Sequence, residues 1–373
     1  MQVRRRSLLL AAAGAGAAAT AATVPPATAS TSAEAGSAPR RARRPVVVGH
    51  RGAAGWRPEH TAPAYTYGVQ TGADWIEPDL VPTKDHVLVV RHENEMSETT
   101  DVARHPEFAD RRTTKTVDGR RVTGWFTEDF TLAELKTLRA VERLPLVRNR
   151  NTVFDGRAEI LTFQEVVDLA RRLSREHGRT VTVFPETKHP TYFRSIGLAL
   201  EPELARLIRR NRLGARECVV QSFEPTSLAR IAAEKLGVPL WQALGTTGGP
   251  YDLVSSGDPT TYRDMMTPAG LARIAAYADW IGPDKSSIVP VGADGRLGTP
   301  TALLSDAHAA GLRVGAYTFR AENRFLPADF RRGTSANGFG DAFAEYALHY
   351  GLGVDAVVTD YPDLAHIARL ARA

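Results

Sequence analysis

The chain of 373 residues reads as an α/β protein, a (β/α)8 barrel carrying an inserted subdomain at its catalytic face. Three observations predict this. Short β-branched runs recur from Pro45 to the C-terminus, helical patterns separate most of them, and eight such runs can be counted. Alternation of this kind implies a parallel sheet, and eight strands suggest closure into a barrel.

The N-terminus is set aside first. Arg4-Arg5-Arg6-Ser7-Leu8-Leu9-Leu10 opens an alanine-rich apolar run to about Val24, and Ala27-Thr28-Ala29 offers a small-x-small cleavage site. Residues 1–29 therefore read as a twin-arginine-type export signal, which predicts a secreted, extracellular protein. Residues 30–44 are Ser/Thr/Ala/Gly/Pro-rich, end in Arg40, Arg41, Arg43 and Arg44, and read as a flexible basic leader. Residues 45–373 form the folded domain. No other segment is apolar for long enough to span a bilayer, so no transmembrane anchor is expected in the mature protein.

Composition narrows the class. Hydrophobic content of 43% and charged content of 24% are globular values. Part of the net charge of +5 belongs to the signal and leader, which leaves the domain near neutral and gives no case for nucleic acid. Cys218 is the single cysteine, which excludes an internal disulfide and a Cys-based metal site. Nothing in the pattern sets an oligomeric state.

The predicted strands are 45–49, 75–79, 181–186, 218–222, 239–243, 279–282, 312–318 and 354–359. Helical spacing marks Phe163 to Ala170, Leu200 to Ile208, Ser227 to Leu236, Gly270 to Tyr277, Ala302 to Ala310 and Asp341 to Tyr350. A ninth run, Val87 to Arg91, follows Thr83-Lys84-Asp85 too closely for a crossover helix and reads as a hairpin at the barrel mouth. The stretch 93–160 is polar and too long for an ordinary loop. It reads as an inserted subdomain with a turn at Asp118-Gly119 and a helix over Thr131 to Arg139. Residues 244–264 form a second excursion without periodicity.

In such a barrel the working residues sit at the C-terminal ends of strands. His50, Glu77, Asp79 and Glu186 fall at predicted strand ends, and His92 follows the hairpin. Glu77 and Asp79 are two apart, so on an extended strand they share a side. Two anions there repel unless a cation neutralises them. Carboxylates without cysteine suit one hard divalent ion, calcium first and magnesium second, rather than zinc. Two histidines can act as base and acid near neutrality, while Arg51 and Lys188 can hold a phosphate. His105, His189 and His308 read as structural.

Together these motifs resemble the glycerophosphodiester phosphodiesterase family. The likeness rests on His50-Arg51-Gly52-Ala-x-Gly55, Pro58-Glu59-His60-Thr61, Gly72-Ala73-Asp74-x-Ile76-Glu77-x-Asp79, Thr83-Lys84-Asp85 with His92, and Pro185-Glu186-x-Lys188. The long insertion resembles that of the periplasmic bacterial branch, as do Thr131-Leu-x-Glu134-Leu-Lys-x-Leu138, Tyr277-Ala-Asp-x-Ile-Gly-Pro-Asp284 and Thr359-Asp360-x-Pro362-Asp363. The resemblance implies a TIM barrel in which His50 and His92 are the acid/base pair and Glu77, Asp79 and Glu186 bind the divalent ion. It implies that Arg51 and Lys188 contact phosphate and that Gln221, Phe223 and Tyr317 line the substrate site. Glu59 and Glu93 would give support, Glu93 standing where the family usually has Asp. Pro78, between two of the metal ligands, hints that strand pairing loosens there.

The implied reaction is hydrolysis of a small glycerophosphodiester, such as glycerophosphocholine or glycerophosphoethanolamine, to sn-glycerol 3-phosphate and an alcohol. The alternatives are an exo-hydrolase of glycerol-phosphate cell-wall polymer, a lysophospholipase D-like enzyme on lysolipids, and a non-catalytic secreted binding protein.

Overall fold

A computed structural model describes residues 44–371. The expected signal at 1–29 and nearly all of the expected leader at 30–44 lie outside the described residues. Thirteen short strands follow in chain order: β1 Val46–Gly49, β2 Trp75–Ile76, β3 Asp79–Pro82, β4 Leu88–Val90, β5 Thr113–Val117, β6 Arg120–Gly124, β7 Thr182–Val183, β8 Glu186–Thr187, β9 Val220–Ser222, β10 Leu240–Leu244, β11 Trp280–Pro283, β12 Arg313–Phe319 and β13 Ala356–Thr359. β2 runs on into β3 and β7 into β8, so the parallel pairing makes eight staves and returns from β13 to β1. The predicted barrel is the observed fold.

Prolines explain both breaks. Pro78 and Pro185 lack an N–H and interrupt the ladder. Pairing resumes one residue on, where Asp79 stands beside Glu186, and the Pro78 carbonyl still accepts the Glu186 N–H at 3.0 Å. β4 runs antiparallel to β3, as a hairpin requires.

Alternate residues of the staves fill the barrel. Val48, Phe184, Val219, Trp241, Ala243, Trp280, Ala356 and Val358 form one buried cluster. Trp241 stacks on Trp280 with ring centroids 5.0 Å apart, and Phe184 meets Trp241 edge-on at 4.8 Å. Gly282 and Gly315 make room for this pair. A Cβ on Gly315 would lie 1.9 Å from Trp241, and one on Gly282 2.0 Å from it.

The inserted segment folds on its own hairpin, β5 with β6. Asp118 and Gly119 make the turn, both with positive φ. Buried Phe108, Phe126, Phe130, Leu135 and Leu138 join it to the main core. The predicted helix over Thr131 to Arg139 is shorter than expected, Leu132–Leu135. Thr131 and Glu134 form a capping box that starts it. It stops because Arg139 and Ala140 are drawn into bridges with Glu159 and Thr100. Residues 244–264 contain two short helices, Tyr251–Ser256 and Tyr262–Met265.

Two buried polar knots fasten the insertion to the barrel. Glu128 accepts from Lys115 at 3.0 Å and from the Tyr192 hydroxyl at 2.7 Å. His189 lies 2.5 Å from Asp118 and 3.1 Å from Glu93. Among the described residues, no helix is long and apolar enough to cross a membrane.

Overfilling the barrel gives a first test. Gly315→Ala is expected to destabilise by about 1–3 kcal/mol in thermal melts, whereas Gly351→Ala, with open space around it, is expected to be neutral or slightly stabilising. His189 gives a second. Burial opposes its charge, but Asp118 and Glu93 outweigh burial and raise it to about 9. A raised folded value means that the stabilisation is whole below about pH 6.5 and fades as pH climbs through about 9. Urea unfolding of the wild type against His189→Gln is expected to differ by about 1–3 kcal/mol at pH 6 and to converge at pH 10.

Candidate active site

The same alternation that fills the barrel also builds the site. Val46 and Val48 lead to His50, Trp75 to Glu77 and Asp79, Phe184 to Glu186 and Lys188, Val219 to Gln221, and Ala356 and Val358 to Asp360. Each apolar inward row therefore ends in a polar residue at the C-terminal rim.

Glu77, Asp79 and Glu186 each offer a carboxylate oxygen within 4.8 Å of the others, and all three are buried. Gln221 donates to Glu77 Oε1 at 2.7 Å, and the Arg51 N–H to its Oε2 at 3.2 Å. Lys188 Nζ lies 2.6 Å from Glu186 and 3.6 Å from Asp79. His60, fully buried, bridges Asp79 and the Tyr65 hydroxyl at 2.8 Å each.

Electrostatics show what this cluster calls for. Burial, then repulsion from Asp79 and Glu186, holds Glu77 well above the usual carboxylate range. Burial lifts Glu186 to about 7 despite Lys188. Burial also works against Asp79, but Lys188, His60 and Arg51 outweigh it and keep Asp79 low. Asp79 Oδ1 is buried without a hydrogen-bond partner. A divalent cation fits this donor set: every ligand is oxygen, one is orphaned, and added positive charge would let the other two ionise.

His50 stands beside the cluster, its Nε2 3.7 Å from Glu77 and its Nδ1 2.5 Å from Asp360. Asp360 also accepts from Arg148 Nη2 at 2.6 Å and Arg320 Nε at 2.9 Å. Although burial opposes it, these cations hold the Asp360 carboxyl well below the usual range. An ionised Asp360 accepts the Nδ1–H hydrogen bond and leaves the Nε2 lone pair facing the cluster. Burial and Arg51 bring His50 down to about 4, against the pull of Asp360. His92, two residues after β4, is lowered by burial and by the charges of Arg51, Lys188, Arg143 and His50. Its Nδ1 lies 2.7 Å from Glu93, out of line for a hydrogen bond.

The other expected residues gather here. Arg51 adopts a left-handed backbone, φ 57°, and its guanidinium reaches Glu59 at 2.8 Å and Asp79 at 3.4 Å. Glu59 thus supports Arg51, and Glu93, beside His92, is hydrogen-bonded to His189 at 3.1 Å. Phe223 and Tyr317 meet edge-on at 6.0 Å, and the Tyr317 hydroxyl is held by the Leu244 carbonyl at 2.8 Å. They form an apolar wall near Lys188, whose Nζ is 5.9 Å from the Phe223 ring.

The sequence reading gave no role to Asp360, His60, Arg148 or Arg320. Asp360 was within reach of it, because it follows the last predicted strand as His50 follows the first. The arginines carry no such signal; Arg148 lies in the aperiodic insertion.

A closed barrel with an acidic metal cradle, two histidines and phosphate-sized cations at one rim defines a barrel hydrolase for a charged ester. Residues 50–364 match the Glycerophosphoryl diester phosphodiesterase family. The chain belongs to that family and is a phosphodiesterase. It is 35% identical over 343 residues to glycerophosphodiester phosphodiesterase GDPD6 of Arabidopsis thaliana, covering 88% of this chain and 87% of the relative. A crystal structure of a putative glycerophosphoryl diester phosphodiesterase from Silicibacter pomeroyi superposes with a TM-score of 0.61 at 20% identity, covering 89% of this chain and 96% of that one. An Oleispira antarctica phosphodiesterase, solved with the product sn-glycerol-3-phosphate, gives a TM-score of 0.54 at 18% identity over 87% of this chain and 96% of that one. These two structural likenesses concern the fold.

If Asp360 orients His50, Asp360→Asn is expected to lower kcat by on the order of 100-fold with KM changed little. A variant with unaltered turnover would remove that role.

Proposed function

We propose that the protein hydrolyses small glycerophosphodiesters to sn-glycerol 3-phosphate and an alcohol, with calcium held by Glu77, Asp79 and Glu186 and with His50 and His92 as the proton-transfer pair. The observation that carries this reading is the buried cluster of three carboxylates, with an orphaned oxygen on Asp79, beside a histidine whose reactive nitrogen faces it. Family membership supports the ester class, and the product held by the Oleispira relative supports glycerol 3-phosphate as the released half. Magnesium is the second candidate; an all-oxygen, carboxylate-rich set favours calcium.

When bound, the ion would neutralise charge developing on a phosphoryl oxygen. The residues divide the remaining work. Lys188 and Arg51 hold Asp79 ionised and bring positive charge to the phosphate. His50 accepts the nucleophile's proton on Nε2 while Asp360 holds Nδ1–H, so the ring needs no rearrangement to act as base. His92 supplies the proton for the departing alkoxide. An anionic substrate offsets Arg51 and Lys188, the charges that otherwise depress His92, and so helps it hold that proton. Gln221 steadies Glu77, and Phe223 with Tyr317 limits water on one side. Every residue this chemistry needs is present, which argues against a binding protein without activity.

We also infer that the enzyme works outside the cell, on the strength of the export signal read at residues 1–29.

The test is release of glycerol 3-phosphate from glycerophosphocholine. His50→Ala and His92→Ala are each expected to lose roughly 100- to 10,000-fold in kcat, and a chelator is expected to abolish turnover until calcium is restored. Near-wild-type rates in either variant would sink the proton-transfer pair. Chelator-resistant activity would sink the metal.

A further inference from the structure

A cavity of about 240 Å³ opens beside His50 and Arg51, walled by Arg143, Arg148, Arg320, Glu59, Glu142 and Asp360 among others. It holds far more than one water, whose share of liquid volume is about 30 Å³. Four guanidiniums face three carboxyl groups, and burial raises one of these, Glu142, to about 7.

Two of the guanidiniums share a carboxylate that another arginine already holds. Glu59 is already paired with Arg51 at 2.8 Å, and Asp360 with Arg148 at 2.6 Å. Arg143 and Arg320 then approach these same carboxylates with Nε nearest, at 3.3 Å and 2.9 Å. Their terminal nitrogens have no hydrogen-bond partner among the described residues. The Arg320 guanidinium is also held 4.7 Å over the Phe325 ring. A guanidinium fixed by its Nε edge, with its fork free in a cavity, is pre-organised to grip an anion. Two such forks lining one cavity suit a phosphate, whose oxygens can serve both; a carboxylate is filled by one.

Since the cavity shares His50 and Arg51 with the metal rim, it begins where the scissile phosphate would lie and continues away from the ion. We propose that Arg143 and Arg320 form a second anion subsite that takes a phosphodiester group carried on the leaving alcohol, so that the enzyme favours substrates with two phosphates in series. This rests on the hydrolase reading above and adds a specificity to it. Arg143 comes from the insertion and Arg320 from the loop after β12, so the preference is built by loops while the chemistry sits on the strands.

Bis(glycerophospho)glycerol and glycerophosphoglycerol make a matched pair, because their leaving alcohols differ by one glycerophosphate unit. The expected kcat/KM for the first exceeds that for the second by on the order of tenfold, the scale of one charge-assisted contact, and the advantage shrinks as salt is raised. Arg143→Gln is expected to bring the ratio near one while changing glycerophosphoglycerol turnover by less than about threefold, and Arg143→Lys to restore part of it. A wild-type ratio near one overturns the subsite. So does an equal fall on both substrates in Arg143→Gln, which would assign Arg143 to the scissile phosphate or to folding. If the wild type cleaves neither compound, the hydrolase reading itself fails, which separates the two failures.

Discussion

The parallel register that sets Asp79 beside Glu186, and Glu186 beside Gln221, holds three carboxylates together against their own repulsion. Strand pairing is rigid, so the acids cannot relax apart. They must instead be neutralised where they stand. Lys188, the Arg51 guanidinium and His60 supply part of that charge, and the raised values of Glu77 and Glu186 show that they do not supply all of it. A metal cradle in a barrel is in this sense a stored conflict. The Trp241–Trp280 stack and the apolar layer beneath contribute the packing that keeps the rim from giving way.

The insertion is bound into this arrangement and does more than cover it. Arg148 leaves the insertion to reach Asp360 at 2.6 Å, Glu322 at 2.7 Å and the Ala54 carbonyl at 3.0 Å. It thereby joins the loop after β1, the loop after β12 and the residue that orients His50. Loss of this insertion would leave Asp360 with one fewer cation and the loop carrying His50 less constrained. A segment that looks peripheral in the chain is therefore part of what aims the histidine.

Much of the fold was legible because barrel strands obey simple rules. Each predicted strand matched a stave to within a few residues, since buried parallel strands show as short β-branched runs bounded by turns. His50, Glu77, Asp79, Glu186 and Lys188 were legible for a related reason: period-two alternation carries the inward row directly onto the rim. What escaped depended on folding back across long sequence distances. Arg148 and Asp360 are 212 residues apart, and no periodicity links them. The helix predicted over Thr131 to Arg139 failed at its end because bridges from Thr100 and Glu159 captured its last turn, a tertiary demand that a capping box cannot announce.

The rim is divided by charge, and His50 stands on the boundary. On one side lie the acids that call for a cation; on the other lie four guanidiniums around one cavity. A phosphodiester suits such a boundary, since its phosphoryl oxygens can face the metal cradle while its ester substituent extends toward the arginines. Asp360 makes the division workable. Without a carboxylate among Arg148, Arg320 and His50, the positive side would press directly on the imidazole and its Nδ1–H would have no fixed acceptor. By accepting from both arginines and from the imidazole Nδ1–H, this one residue holds His50 in place between the acidic cluster and an arginine-lined cavity.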